Sequence, residues 1–244
     1  MQYVIMTMIG LSLGSFATTC ISRLPRKQSL IKPRSFCDSC SRSLGWKELI
    51  PLLSYVVLKG RCLKCSAQIP FLYPIVEFLI AILTVVIFIK YGTSIKTPII
   101  ILFGLTLLCI VLADMLSRII PNKLNFTLFI TAFVFVWLVS QSGFTAAIVG
   151  FFTGLVFTFL PAWFGEHWLD KQIIGGGDIK FTAILGLTFG WEILLVLIWV
   201  ASVSGLLWVL SRKLIEPKQK ITNVPFGAFL GTTALAYILI VDLQ

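Results

Sequence analysis

The strongest constraint on this chain is a series of apolar runs, nearly free of charge, separated by short polar turns. Hydrophobic residues make up 58% of the 244 positions and charged residues 12%. A soluble domain of that size would be about half apolar and a quarter charged, so a large soluble core is excluded. Inside lipid every backbone N–H and C=O must be satisfied within the chain, which leaves helices or a closed barrel. Runs near the ~20 residues that cross a ~30 Å hydrocarbon core read as helices. The expected fold is an all-α polytopic membrane protein of about eight transmembrane helices, with a small zinc-ribbon-like loop domain.

In order, the full-length spans read as Tyr3–Ile21, Phe71–Ile89, Pro98–Ala113, Leu124–Val139, Phe144–Phe164, Ile193–Leu210 and Val224–Val241. Gly10 and Gly14 in the first would let another helix approach closely. Gln141-Ser142-Gly143 reads as a turn. Ile179–Gly190 is only twelve residues, too short to cross upright. It reads as a short sixth helix that Trp191-Glu192 turns into the next span. Met1–Ile21 has no basic leader or Ala-x-Ala cleavage site, so it reads as a retained signal anchor. The division expected is a first helix over 1–21, a cytoplasmic four-cysteine loop domain over 22–70, and a helical membrane domain over 71–244.

Charge orients these spans. The net charge is +10, and ten of the twenty Lys and Arg lie between Arg23 and Lys64. That cluster suits a loop lying against an anionic leaflet better than a nucleic-acid surface. With this loop inside, the inner loops hold eighteen basic residues, and only Lys90 and Lys96 are outside. The bias is the positive-inside pattern. It puts both termini outside.

On this topology two carboxylates, Asp114 and Asp178, reach the cytoplasmic surface at the ends of apolar runs. Asp178 follows Gly175-Gly176-Gly177 and precedes Ile179-Lys180; Asp114 stands seven residues before Pro121-Asn122. Each could simply mark where a helix leaves the bilayer. A charge at such an edge is otherwise a sign of function. Two aspartates meeting in a partly dry site could share a proton, because like charges held close cannot both ionise. That is the chemistry of an aspartic protease. Glu77, early in the second span, needs a cation or a hydrogen-bond partner that the sequence does not name. The single His167 reads as interfacial.

Cys37-x-x-Cys40 and Cys62-x-x-Cys65 are separated by 21 residues. Two thiolate pairs, each on its own turn, can supply the four-cysteine cage of a structural zinc. Disulfides would not persist in a reducing cytoplasm. Cys20 and Cys109, in apolar runs, read as packing residues. Leu49–Leu58 is apolar but too short to span, and is expected on the protein or at the interface.

Several stretches resemble the type IV prepilin peptidase family, the leader peptidase/N-methyltransferases. They are Gly14-Ser15-Phe16 through Arg23-Leu24-Pro25, the block Trp46–Tyr55 with Gly60-Arg61 between the cysteine pairs, and Tyr73-Pro74-Ile75-Val76-Glu77. Asp114 with Pro121-Asn122, and Gly175-x-Gly177-Asp178, resemble the two catalytic-aspartate elements, the second being the signature of Gly-x-Gly-Asp membrane proteases. Thr18 departs from a usual Asn, and Leu116 from a second Asp.

The resemblance implies an enzyme of the bacterial cytoplasmic membrane that cuts the basic leader from prepilins or pseudopilins at a Gly-Phe-type junction. The catalytic residues it implies are Asp114 and Asp178, with Gly175, Gly176, Gly177 and Lys180 in the active-site loop. It further implies N-methylation of the new N-terminus with S-adenosylmethionine as methyl donor, for which Gly60 and Arg61 are the candidates. The partners expected are prepilin substrates and membrane lipids, with no nucleic acid. A proton-coupled transporter would use the same carboxylates but predicts repeated halves, which the sequence lacks. A zinc-bearing scaffold without chemistry is the third reading.

Overall fold

The computed structural model of the protein describes residues 1–139, 143–171, 173–216 and 224–241. The turn expected at Gln141-Ser142, and the basic residues Lys218 and Lys220, lie outside the described residues. Among them the secondary structure is helical: α1 (Gln2–Arg23), α2 (Leu53–Val57), α3 (Leu72–Tyr91), α4 (Lys96–Ser117), α5 (Asn122–Leu138), α6 (Gly143–Trp168), α7 (Gly176–Ile215) and α8 (Phe226–Ile240). Five of them, α1, α3, α4, α6 and α7, are long and apolar enough to cross a membrane. α5 and α8, of 17 and 15 residues, are apolar but shorter.

The forty residues of α7 are two helices joined at Gly190, whose φ of 79° and ψ of 171° interrupt the helical path. Only glycine adopts this backbone without strain. The break falls one residue before the Trp191-Glu192 turn expected from the sequence, and the short helix ahead of it is the expected sixth one. Helix α6 contains Pro161 and runs on to Trp168, past the expected exit at Phe164. Buried Thr84, Thr158 and Thr188 each donate to the carbonyl four residues back, which disposes of a polar group that lipid would not solvate.

The chain forms two compact units, Met1–Thr97 and Pro98–Gln244. In the first, α1 packs on α3 through Gly10 and Gly14. A Cβ at Gly10 would come within 2.7 Å of Ala81 Cα, and one at Gly14 within 2.6 Å of Glu77 Cα. Missing side chains bring two backbones together, the usual device where no hydrophobic effect drives helices to associate. Glu77 finds its partner in the Leu52 N–H, which donates to Oε2 at 2.8 Å. The unit boundary therefore falls after α3, one helix beyond the change in composition at residue 70. Helix α3 is tied to α1 by glycine packing and to the polar loop by Glu77.

In the second unit α7 packs against α5, α6 and α8. Its contact with α6 is closest at Gly150 and Gly186, where a Cβ on either would lie about 2 Å from the other's carbonyl oxygen. Phe103, Phe135, Phe189 and Tyr237 form one ring cluster joining α4, α5, α7 and α8, with centroids 5.2 to 6.4 Å apart. Edge-to-face pairs of this kind add about 0.5–1.5 kcal/mol each beyond burial. The cluster fixes how the helices that carry the aspartates are set against α8.

Candidate active site and cysteine cluster

Asp114 sits in the last turn of α4 and is 4% exposed. Helix α4 stops at Arg118, whose φ is 54°, and Ile119-Ile120-Pro121 leads into α5. Asp178 is the third residue of α7, and its N–H and that of Ile179 donate to the Gly175 carbonyl. Both carboxylates reach the start of α8. The Ala228 N–H donates to Asp114 Oδ2 at 2.7 Å. A Cβ on Gly227 would lie 3.1 Å from that same oxygen and 3.0 Å from Asp178 Oδ1. Two carboxylate oxygens from helices far apart in sequence thus flank one glycine.

The first N–H groups of a helix have no partner within it. Helix α8 has Pro225 as its N-cap and no side-chain cap of its own. Asp114 supplies what the local sequence lacks, and a carboxylate is favoured at this end of a helix. Asp178 Oδ1, by contrast, is buried without a hydrogen-bond partner among the described residues. Such an atom in a native site calls for an explanation, a catalytic role being one.

The glycine loop is held by close contacts, and its three glycines are not equivalent. A Cβ at Gly175 would lie 3.1 Å from Asp178 Oδ2, and one at Gly177 would lie 3.1 Å from Ile120 Cβ. At Gly176 nothing lies within 4 Å. The pattern Gly-x-Gly-Asp is therefore the steric pattern of the loop. Ile120 wedges between Gly177 and Gly227, its Cδ1 2.7 Å from where a Cβ on Gly227 would be. Lys180 Nζ donates to Asn122 Oδ1 at 3.0 Å, and Asn125 Nδ2 donates to the Gly177 carbonyl at 3.1 Å. These bonds join the glycine loop to the Pro121-Asn122 turn.

Ile120, Asn125, Gly227 and Ala228 were not singled out in the sequence. The one signal was Pro225 followed two residues later by Gly227 at the start of an apolar run. His167 stacks on Trp163 in α6 with ring centroids 4.8 Å apart.

In the first unit the two cysteine pairs sit on two copies of one turn. Cys37 N–H donates to the Arg42 carbonyl, Ser41 to Cys37 and Leu44 to Ser35. The same bonds recur 25 residues on, as Cys62 to Ala67, Ser66 to Cys62 and Ile69 to Gly60. Ser41 and Ser66 both have positive φ, 54° and 57°. The four sulfurs lie within 4.8 Å of one another, Cys37 Sγ and Cys65 Sγ at 3.8 Å. Zn–S bonds of about 2.3 Å in a tetrahedron put sulfurs about 3.8 Å apart, so the cluster fits a metal ion of that kind.

The electrostatics agree. The backbone N–H groups of Cys65 and Lys64 draw the Cys62 thiol down to about 6. The Ala67 N–H favours the Cys65 thiolate, yet burial and the sulfurs of Cys62, Cys40 and Cys37 hold that thiol up at about 11. Four thiolates this close need a cation among them.

Gly60 is buried, with φ 67°, and a Cβ there would lie 2.8 Å from the Tyr55 ring and hydroxyl. Arg61 is exposed and lines a shallow surface depression with Lys59, Leu63 and Ser66. The two methyl-transfer candidates are thus neighbours with different surroundings.

Fold and site define a multi-pass helical membrane protein in which two aspartates converge on the start of another helix. Residues 8–91 match the model of the Bacterial Peptidase A24 N-terminal domain, and residues 101–210 that of the Type IV leader peptidase family. The chain is 31% identical over 236 residues to the prepilin leader peptidase/N-methyltransferase of Bacillus subtilis strain 168, covering 96% of this chain and 93% of that one. It is 29% identical over 255 residues to the protein of that name from Pseudomonas aeruginosa (92% and 85% covered), and 27% over 224 residues to that from Vibrio cholerae (87% and 88%). The chain belongs to the type IV leader peptidase family. No solved structure matches it.

Proposed function

We propose that this protein removes the basic leader from type IV prepilins or pseudopilins, with Asp114 and Asp178 as its catalytic pair. The observation that carries this is the meeting of Asp114 Oδ2 and the unpartnered Asp178 Oδ1 on either side of Gly227. One aspartate, as carboxylate, takes a proton from water, whose oxygen attacks the scissile carbonyl carbon. The other, as carboxylic acid, donates its proton to the departing amide nitrogen as the C–N bond breaks. The pair titrates as a unit, so the two roles belong to it jointly. Gly175 and Gly177 let the loop backbone pass close to the substrate strand, and Lys180 holds it to Asn122.

The second reaction in this reading is N-methylation of the new N-terminus. S-adenosylmethionine, when bound, supplies a methyl group on a sulfonium. A neutral N-terminal amine on the processed product would be the group that takes this methyl. Cys37, Cys40, Cys62 and Cys65 would hold a zinc ion, which would supply folding energy to the loop as four-thiolate sites do. Gly60 and Arg61, beside that site, are the residues this reading assigns to methyl transfer. In this reading the basic loop faces the cytoplasm, as the positive-inside charge bias supports, and the aspartates are reached from that side.

The test is to incubate the purified protein with a pilin precursor and weigh the product. Loss of a leader-sized mass followed by gain of one methyl group is expected. An unchanged precursor would overturn the peptidase reading, and a product that never gains the methyl group would overturn the methyl-transfer reading alone.

A further inference from the structure

The apolar stretch Leu49–Leu58 forms α2, whose five residues are too few to cross a bilayer. Its Leu53, Val56 and Val57 are nonetheless exposed. In the same unit α3 is long and apolar enough to cross a membrane. Phe71, Ile75, Phe78 and Ile82 are exposed along it, and spacings of four, three and four put them on one face. In a membrane span such a face meets lipid chains.

The two helices do not close against each other. Between them runs a groove of about 390 Å³, with Leu52, Tyr55 and Val56 on one wall and Phe71, Ile75 and Phe78 on the other. It follows α3 for about 10 Å between Phe71 and Phe78. Lys59 borders it too, yet the groove's surface is apolar throughout, so the lysine contributes its stem and not its ammonium. The walls are held in place at both ends. The Leu52 N–H donates to Glu77 Oε2 at 2.8 Å, and the Tyr55 and Phe71 rings pack with centroids 6.1 Å apart.

At Lys59 the chemistry changes. Lys59 and Gly60, with φ of 51° and 67°, turn the chain after α2. On the far side of that turn lies the second depression, of about 490 Å³, where Lys59 stands with Arg61 and Ser66. Neither cation has an acidic partner among the described residues. An apolar groove beside a lipid-facing helix thus ends in two uncompensated positive charges and a hydroxyl. A neutral lipid would leave those charges unmatched, and a free anion would leave the groove empty.

We propose that this surface binds an anionic phospholipid, with an acyl chain in the groove and the phosphate at Lys59, Arg61 and Ser66. The lipid adds a further tie between α2 and α3, beside those made by Glu77 and Tyr55, and fixes the cysteine loop to its leaflet. The site stands apart from both proposed reactions. Lys59 is the residue to change, because Arg61 also belongs to the methyl-transfer reading.

The experiment places the full-length protein in phosphatidylcholine nanodiscs containing a photoreactive lipid with a diazirine in one acyl chain. The probe is phosphatidylglycerol in one set and phosphatidylcholine, with the same chains, in the other. Adducts are mapped by peptide mass spectrometry. On residues 52–59 and 71–78 the phosphatidylglycerol probe should exceed the phosphatidylcholine probe by about fivefold or more, the effect of one basic residue beside an anionic headgroup. On the exposed face of α6, at Phe152 and Val156, the two probes should label alike. Lys59→Gln should remove the excess and Lys59→Arg should keep it. Val56→Trp, which fills the groove, should lower labelling there by both probes.

Equal labelling by the two probes in wild type would make the surface ordinary lipid contact and overturn the proposal. So would an excess that survives Lys59→Gln, or labelling unchanged by Val56→Trp. If inorganic phosphate removes the excess as well as unlabelled phosphatidylglycerol does, the depression is a free-anion site and the proposal fails.

Discussion

Ala228 donates its backbone N–H to Asp114 Oδ2 at 2.7 Å, a bond that spans 114 residues of sequence. It ties the end of one apolar helix to the beginning of another and sets a carboxylate beside Gly227, where Asp178 arrives from the other side.

Asp114→Asn and Asp178→Asn should each lower leader removal by about 10³-fold or more, and the double variant should be little worse, since residues acting as a unit are not additive. Cleavage followed by mass spectrometry on purified variants measures this. Substantial cleavage by either single variant would remove that aspartate from the mechanism.

The glycines give a graded series. Gly227→Ala would push a methyl group against Ile120 and both carboxylates, and should abolish cleavage. Gly177→Ala, tight against Ile120, should be impaired less. Gly176→Ala, with open space around it, should cut at nearly the wild-type rate. A Gly176→Ala protein as dead as Gly227→Ala would mean that the loop's role is not steric.

Asn125 is 3% exposed and holds the Gly177 carbonyl. Asn125→Ala leaves that acceptor without its donor, at a cost of about 1–3 kcal/mol. A lower thermal midpoint in detergent, together with slower cleavage, is the expected result; an unchanged midpoint would show that the bond contributes nothing.

Wild type is expected to carry zinc by elemental analysis and Cys62→Ser to lose it and loosen the loop, because structural thiolate sites contribute folding energy outright. Gly60→Ala should keep the metal but lose methylation, through Tyr55. Comparing Arg61→Ala with it separates the two neighbours: exposed Arg61 should matter less for binding the methyl donor than Gly60.

A cysteine introduced at Thr93 should react with an impermeant thiol reagent from outside the cell, and one at Ser29 only after permeabilisation. The reverse pattern would move the active site to the other face of the membrane.

Much of the fold was legible because lipid leaves so few choices. The apolar runs marked the helices, and even the short one ahead of Gly190 was visible from its length. Helix ends were less so: the sequence puts the end of that span at Phe164, already past Pro161, and α6 runs on to Trp168. The paired cysteines announced their cluster by spacing alone. What the sequence hid were contacts made by absent atoms. Gly227 carries no chemistry of its own, and Ile120 looks like any other apolar residue. Their importance lies in where a Cβ would have to go, which only the packed helices reveal. Glu77 was suspicious in the sequence, but its partner is a backbone N–H, and every residue except proline has one.

The bond from Ala228 to Asp114 also bears on the order in which the protein is made. A chain emerging into the membrane passes Asp114 and then Asp178 well before α8 exists. Until that last described helix is inserted, Asp114 lacks the Ala228 N–H that anchors it and Gly227 is not yet set between the two carboxylates. On the proposed mechanism the pair is completed only when α8 packs in, and a chain halted before that helix is expected to sit in the bilayer without peptidase activity.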